Sequence, residues 1–207
     1  MRPVAVFCAD IGSIARSRFG WAGGIVGGHL RSGDSIGDLA IEVSKTLSAD
    51  IPTALGLECP LFVPVDLDPH RLTSSRHGEG GRAWCAGAGA GALATGLSQT
   101  VWILRAIRAT VPEGIPAFLS WSRFRAAGHG LLIWEAFVTG SIERTHVGDA
   151  EAAVREFMRA LPNPERANAV TADTVHSLAG AALLRTGWST DLNLLAQRCL
   201  VLKASPI

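Results

Sequence analysis

Two carboxylates stand out because each lies at the end of an apolar run. Val4 to Ala9 is unbroken apolar sequence and stops at Asp10-Ile11-Gly12-Ser13, while Ala54 to Cys59 carries Glu58 near its end and is closed by Pro60. Runs of this kind read as strands buried on both faces. A carboxylate at the carboxyl end of a buried parallel strand sits where open α/β sheets bind ligands. Two such groups brought together repel each other, and a divalent cation offsets that repulsion. Taken singly, Asp10 and Glu58 are ordinary solvated strand ends; as a pair they point to a metal centre.

Further candidates lie downstream. Asp173 and His176 are three residues apart in a segment, 172 to 186, whose spacing predicts one long helix stopped by Gly187, with Ser177 and Gly180 on the same stripe. There Asp173 would complete a metal set, and His176 would ligate the cation, position water or protonate a leaving oxygen. The plainer reading is that negative charge is favoured in a first helical turn anyway, and that a single helical histidine is structural. Glu135 sits in the apolar run Leu131 to Phe137. A buried acid needs a partner, so it is either an outer-sphere group to a metal or an edge residue. His70, Arg71, Arg76, His77 and Arg82 form a local basic cluster able to contact phosphates, with solvated loop charge as the alternative.

The elements that must position these groups are legible from pattern. Phe19 to Val26 reads as a second strand, making residues 13 to 18 a hairpin turn, and His29 to Ser32 as a short third. Ser35 followed by Asp38 marks a helix start, after which Ile36, Leu39, Ala40, Val43 and Leu47 repeat at helical spacing. A helix between the two acid-ended strands predicts that they run parallel, with both ends on one side of the sheet. Residues 60 to 84 form a long irregular loop, and length of that kind points to function. Ala90, Leu93, Leu97, Val101 and Leu104 predict a helix face up to Pro112. Ala117 to Ser120 and Leu131 to Phe137 are strand candidates. A helix capped by Asp149 would follow, burying Ala153, Val154, Phe157, Met158 and Leu161 and ending at Pro162. Leu200 to Lys203 is a closing strand.

Composition bounds the rest. A chain of 207 residues, 48% hydrophobic and 18% charged, is too apolar for disorder and is expected to form a single domain over 1 to 207. With 19 Lys and Arg against 18 Asp and Glu, bulk charge attracts neither nucleic acid nor an anionic membrane, so any polyanion site must be local. Cys8, Cys59, Cys85 and Cys199 are widely spaced, without a C-x-x-C pair, which fits a reducing cytoplasm. The N-terminal residues do not read as a secretory signal. The stretch from Ala83 to Leu104 is uncharged and long enough to span a bilayer, but it is rich in Gly, Ala, Ser and Thr and flanked by Arg at both ends. It is expected to be a core helix, and no membrane partner is expected. Within it Gly89-Ala90-Gly91-Ala92-Leu93-Ala94 matches a relaxed dinucleotide fingerprint, but no strand leads into it, so it reads as small-residue packing.

With these residues in place, the chain resembles the ribonuclease-H-like superfamily. Ala9-Asp10-Ile11-Gly12-Ser13 with Gly20-Trp21-Ala22 is similar to the first hairpin of Holliday-junction resolvases and their relatives. Leu57-Glu58-Cys59-Pro60-Leu61-Phe62-Val63-Pro64 is similar to the second acidic strand of a bacterial family of predicted ribonuclease-H-like nucleases, and Ile133-Trp134-Glu135-Ala136 and Asp173-Thr174-Val175-His176 have counterparts there. The resemblance implies an α/β, ribonuclease-H-like mixed sheet flanked by helices. It implies that Asp10, Glu58 and Asp173 hold Mg²⁺ or Mn²⁺ for phosphodiester hydrolysis on nucleic acid, with His176 standing where resolvase-like relatives carry a second helical acid. Two other readings stay open: a non-catalytic binding module that keeps the fold, and an actin-like phosphotransferase relative, since Asp-x-Gly-Ser also suits a phosphate loop.

Overall fold

A computed structural model describes residues 2–80, 83–139 and 145–204. In chain order the elements are β1 (Ala5–Asp10), β2 (Gly20–Ile25), β3 (Arg31–Gly33), α1 (Ile36–Ser48), β4 (Thr53–Glu58), β5 (Phe62–Pro64), α2 (Gly87–Arg108), β6 (Ala117–Phe118), α3 (Trp121–Ala127), β7 (Leu131–Val138), α4 (His146–Ala160), β8 (Val175–Ser177), α5 (Leu178–Arg185) and β9 (Leu200–Ala204).

The fold is α/β, organised by one mixed seven-stranded sheet in the order β3-β2-β1-β4-β7-β6, with β9 also pairing along β7. β2 runs antiparallel to β1, and β4, β7, β6 and β9 run parallel to it through the chain of pairings. The central strands are apolar throughout because both faces are covered. On one face Phe7, Leu55, Leu57 and Ile133 pack with Leu39, Val43, Ile103 and Leu183 of the helices α1, α2 and α5. On the other, Val6, Cys8 and Trp134 pack with Phe124, Val154 and Phe157 of α3 and α4.

The helix starts follow their capping chemistry. The Ser35 side chain accepts a hydrogen bond from Asp38 N at 3.2 Å, which opens α1, and Leu39, Ala40, Val43 and Leu47 are then buried as their spacing requires. At α4 the cap is Thr145, accepting from Gly148 N at 3.0 Å, and Asp149 lies in the first turn instead of capping it. The buried face of α2 carries Gly96, Thr100, Ile103, Leu104 and Ile107, whereas Leu97 is 53% exposed, so the face is displaced from the one its larger residues predict. Gly96 is the cause: a Cβ there would stand 2.6 Å from Cys59 Sγ, and this close approach turns the glycine inward. No helix among the described residues is long and apolar enough to cross a membrane.

The segment 172–186 is not one helix. Val175–Ser177 is extended and pairs antiparallel with β5 in a two-stranded sheet, and α5 begins only at Leu178, where the Ser177 side chain accepts from Gly180 N at 3.0 Å. A serine able to cap and a β-branched Val175 beside β5 outcompete helical continuation. Residues 60–84 likewise contain β5 and a single turn at Pro69–Arg71, and are otherwise irregular where described.

Packing on the α4 face gives a direct test. Gly56 lies opposite Trp134, and a Cβ on it would meet the indole at 2.3 Å, where the fully buried ring also packs on Phe157 with centroids 4.9 Å apart. Gly56→Ala is expected to destabilise by about 1–3 kcal/mol. Gly91→Ala, with nothing within 4 Å of the new methyl, is expected to stabilise α2 by up to ~1 kcal/mol. Thermal unfolding monitored by tryptophan fluorescence distinguishes the two, and equal midpoints would contradict this packing.

Candidate metal centre

β1 and β4 pair in parallel with Asp10 directly beside Glu58. Residues paired in register project to the same face, so both carboxylates emerge on the α4 side at the carboxyl edge of the sheet. The first turn of α4 arrives there. Gly20, the β2 partner of Asp10, makes the approach possible, because a Cβ on it would lie 2.4 Å from the backbone of His146 and Val147. As a result one oxygen from each of Asp10, Glu58 and Asp149 lies within 4.8 Å of the others. Asp10 is buried, and Glu58 and Asp149 are partly so.

His146 Nδ1 hydrogen-bonds Asp10 Oδ2, the nitrogen donating to the carboxylate. Burial pushes the Asp10 carboxyl above its ordinary value; the His146 bond and charge pull it back, and Asp149 adds to the rise. Three oxygen donors on two strand ends and one helix form a hard donor set suited to Mg²⁺ or Mn²⁺. These residues therefore fit a divalent cation, which Asp10, Glu58 and Asp149 would hold.

The other sequence candidates fall elsewhere. Asp173 is exposed in the bend before β8, on the wall of a cavity of ≈ 880 Å³ between residues 64–80 and 171–174, and it is not among the three clustered acids. His176 is an exposed residue of β8 opposite Val63. The third acid is Asp149 in place of Asp173, because the helix meant to carry Asp173 does not exist there. Arg71 is exposed on the same cavity wall and pairs with Asp66 at 3.3 Å. His70 and His77 are exposed, and His77 is bridged through its backbone to Thr171. Arg82 lies outside the described residues.

Arg76 is no solvated phosphate contact. Its side chain is 1% exposed and forms a two-pronged ion pair with Glu135, Nη2 to Oε1 at 2.6 Å and Nη1 to Oε2 at 2.8 Å. Nε reaches Glu79 at 2.8 Å, and the guanidinium lies 4.6 Å above the Phe62 ring. Burial alone would lower the Arg76 pKa, but the Glu135 and Glu79 carboxylates outweigh it and hold it above its ordinary value. Glu135 also accepts from Leu61 N at 2.9 Å. It pairs in register with Leu57, so it faces away from Glu58 and serves to tie the 60–84 loop to the sheet.

Asp149 and His146 escaped sequence reading because Asp149 fits a helix start without further purpose. The usable signal was His-x-x-Asp opening the helix after an apolar strand, the same three-residue spacing noticed at 173 and 176. Comparison with known protein families, curated proteins and solved structures finds no match.

Two outcomes test this electrostatic layout. Because burial raises Asp10 in the folded state, its contribution favours folding at low pH and is lost as pH rises from its ordinary value near 3.8 through the higher folded value. Metal-free Asp10→Asn lacks that loss, so in urea titrations its stability relative to wild type should increase from pH 4 to pH 7; a constant difference would refute the assignment. Arg76→Ala strands two buried carboxylates and is expected to cost about 3–5 kcal/mol at neutral pH. The deficit should shrink in acid, where the Glu135 carboxyl, already raised by burial, accepts a proton.

Proposed function

We propose that the chain is a metal-dependent phosphodiester hydrolase acting on nucleic acid, built on a ribonuclease-H-like fold. The observation that carries this reading is the convergence of Asp10, Glu58 and Asp149 within 4.8 Å at the carboxyl edge of parallel strands. The fold part is supported by a mixed sheet whose antiparallel hairpin opens directly from Asp10 and whose faces are covered by helices.

Asp10, Glu58 and Asp149 would hold Mg²⁺ or Mn²⁺. When bound, such a cation supplies Lewis acidity for attack of water on phosphorus and offsets charge on the departing oxygen. His146, by donating to Asp10 Oδ2, fixes the orientation of that carboxylate. The net reaction adds water across one P–O bond, leaving a phosphate monoester on one side and a hydroxyl on the other.

The test is Mn²⁺ and Mg²⁺ titration by calorimetry, with cleavage assays on single-stranded, duplex and branched substrates. Asp10→Asn and Asp149→Asn should each lose at least the roughly 10–100-fold that removal of an outer-sphere partner costs. Asp173→Asn should cleave like wild type, since Asp173 stands apart from the three acids. Cleavage that survives Asp10→Asn, or absence of metal binding by the wild type, would refute the reading.

A further inference from the structure

The turn that leaves Asp10 carries charge of the opposite sign to the cluster beside it. Residues 11–19 join β1 to β2, and because Asp10 pairs with Gly20 the turn both begins and ends at the carboxylate edge. Inside it Ile14–Arg16 forms one helical turn, Ser13 O accepts from Arg16 N and Arg18 N at 3.0 Å each, and Ser17 N donates to Ile14 O at 3.0 Å. Its base is held as well: Gln99 Nε2 of α2 donates to Gly12 O at 2.6 Å, and a Cβ on Gly12 would meet Arg18 O at 1.9 Å.

This internally bonded turn displays residues 14–18 to solvent, among them one large apolar side chain and two guanidinium groups. Ile14 is 47% exposed, Arg16 and Arg18 are exposed, and neither guanidinium has a hydrogen-bond or ion-pair partner among the described residues. Three clustered acids repel a polyanion, so a phosphodiester chain needs cations close by to be held there. On a protein of formal net charge +1 they must be local, and this turn supplies two within eight residues of Asp10. Guanidinium forks match phosphate oxygens, and an apolar side chain on a rigid turn can press between base steps.

Resting on the hydrolase reading above, we propose that the 11–19 turn grips the substrate strand: Arg16 and Arg18 hold phosphates flanking the scissile one, and Ile14 packs against a base. The partner is a nucleic-acid strand, bound through its backbone and without base-edge reading by the arginines.

The experiment measures binding of labelled single-stranded and duplex oligonucleotides by fluorescence anisotropy in Ca²⁺ across a salt series, beside Mn²⁺ calorimetry on the same proteins. Arg16→Ala/Arg18→Ala should weaken oligonucleotide binding about tenfold or more, and flatten the slope of log K against log salt by about 1–2. Its Mn²⁺ affinity should not fall below wild type, since two nearby positive charges are removed, and its unfolding midpoint should match wild type, since both side chains are exposed. Ile14→Ser should weaken binding with no change of slope, and Arg2→Ala, beyond the amino end of β1 and paired with Asp50, should change neither. A double variant that binds with wild-type affinity and slope, while the wild type binds Mn²⁺ and cleaves, overturns the turn's role and leaves the hydrolase reading standing. A wild type that binds no metal and cleaves nothing overturns both.

Discussion

In-register parallel pairing of β1 with β4 is the constraint from which the candidate site follows. Parallel neighbours lie about 4.8 Å apart, so residues paired at the same level and on the same face bring their side chains together. Asp10 and Glu58 are such a pair, and neither can turn away without breaking the strand that carries it. The connection through α1 makes the pairing parallel; an antiparallel pairing would have sent the two acids to opposite edges. What closes on this edge is then set by space. Gly20 leaves room for α4, and the first turn of α4 delivers His146 and Asp149 together because residues three apart share a helix face.

The same pleat sends a third strand acid the other way. Glu135 is level with Leu57, one residue short of Glu58, and this offset of one places it on the opposite face. There it meets Arg76, Glu79 and the Leu61 amide in a buried network. Removing such a network outright and filling the space with apolar groups can be neutral for stability, so its presence implies a positional duty. The duty visible here is anchoring: Leu61 and Phe62 bury the start of the 60–84 stretch in the core, and Arg76 fastens its later part to β7 through Glu135. Arg76 thereby also forms part of the wall of the cavity between residues 64–80 and 171–174.

Sequence legibility follows how local each determinant is. β1, β4 and α1 were readable because apolar runs, a capping serine and helical spacing are local properties, and the parallel relation follows from their order. Asp10 and Glu58 were readable as a pair for the same reason. Asp149 was not, because its meaning depends on Gly20, which is 129 positions away in the chain and permits contact only through a missing side chain. Asp173 and His176 misled because helical spacing across 172–186 is real, yet pairing of Val175–Ser177 with β5 is non-local and outweighs it. Arg76 misled for a related reason: a loop arginine among other basic residues looks solvated until its carboxylate on a distant strand is known.

Comparison of Glu135 with Asp10 shows why the two buried acids have different capacities. Glu135 is matched by a guanidinium, a permanent cation that engages both carboxylate oxygens in fixed geometry, and the Leu61 amide adds a further bond to Oε2, so its charge is compensated within the protein. Asp10 is matched by an imidazole, which engages Oδ2 through one ring nitrogen and is 37% exposed. Histidine orients Asp10, and burial keeps the carboxyl above its ordinary pKa. A two-pronged guanidinium thus commits Glu135 to anchoring a loop, whereas a single imidazole contact leaves Asp10 in a cluster that offers three ligand atoms within 4.8 Å of one another.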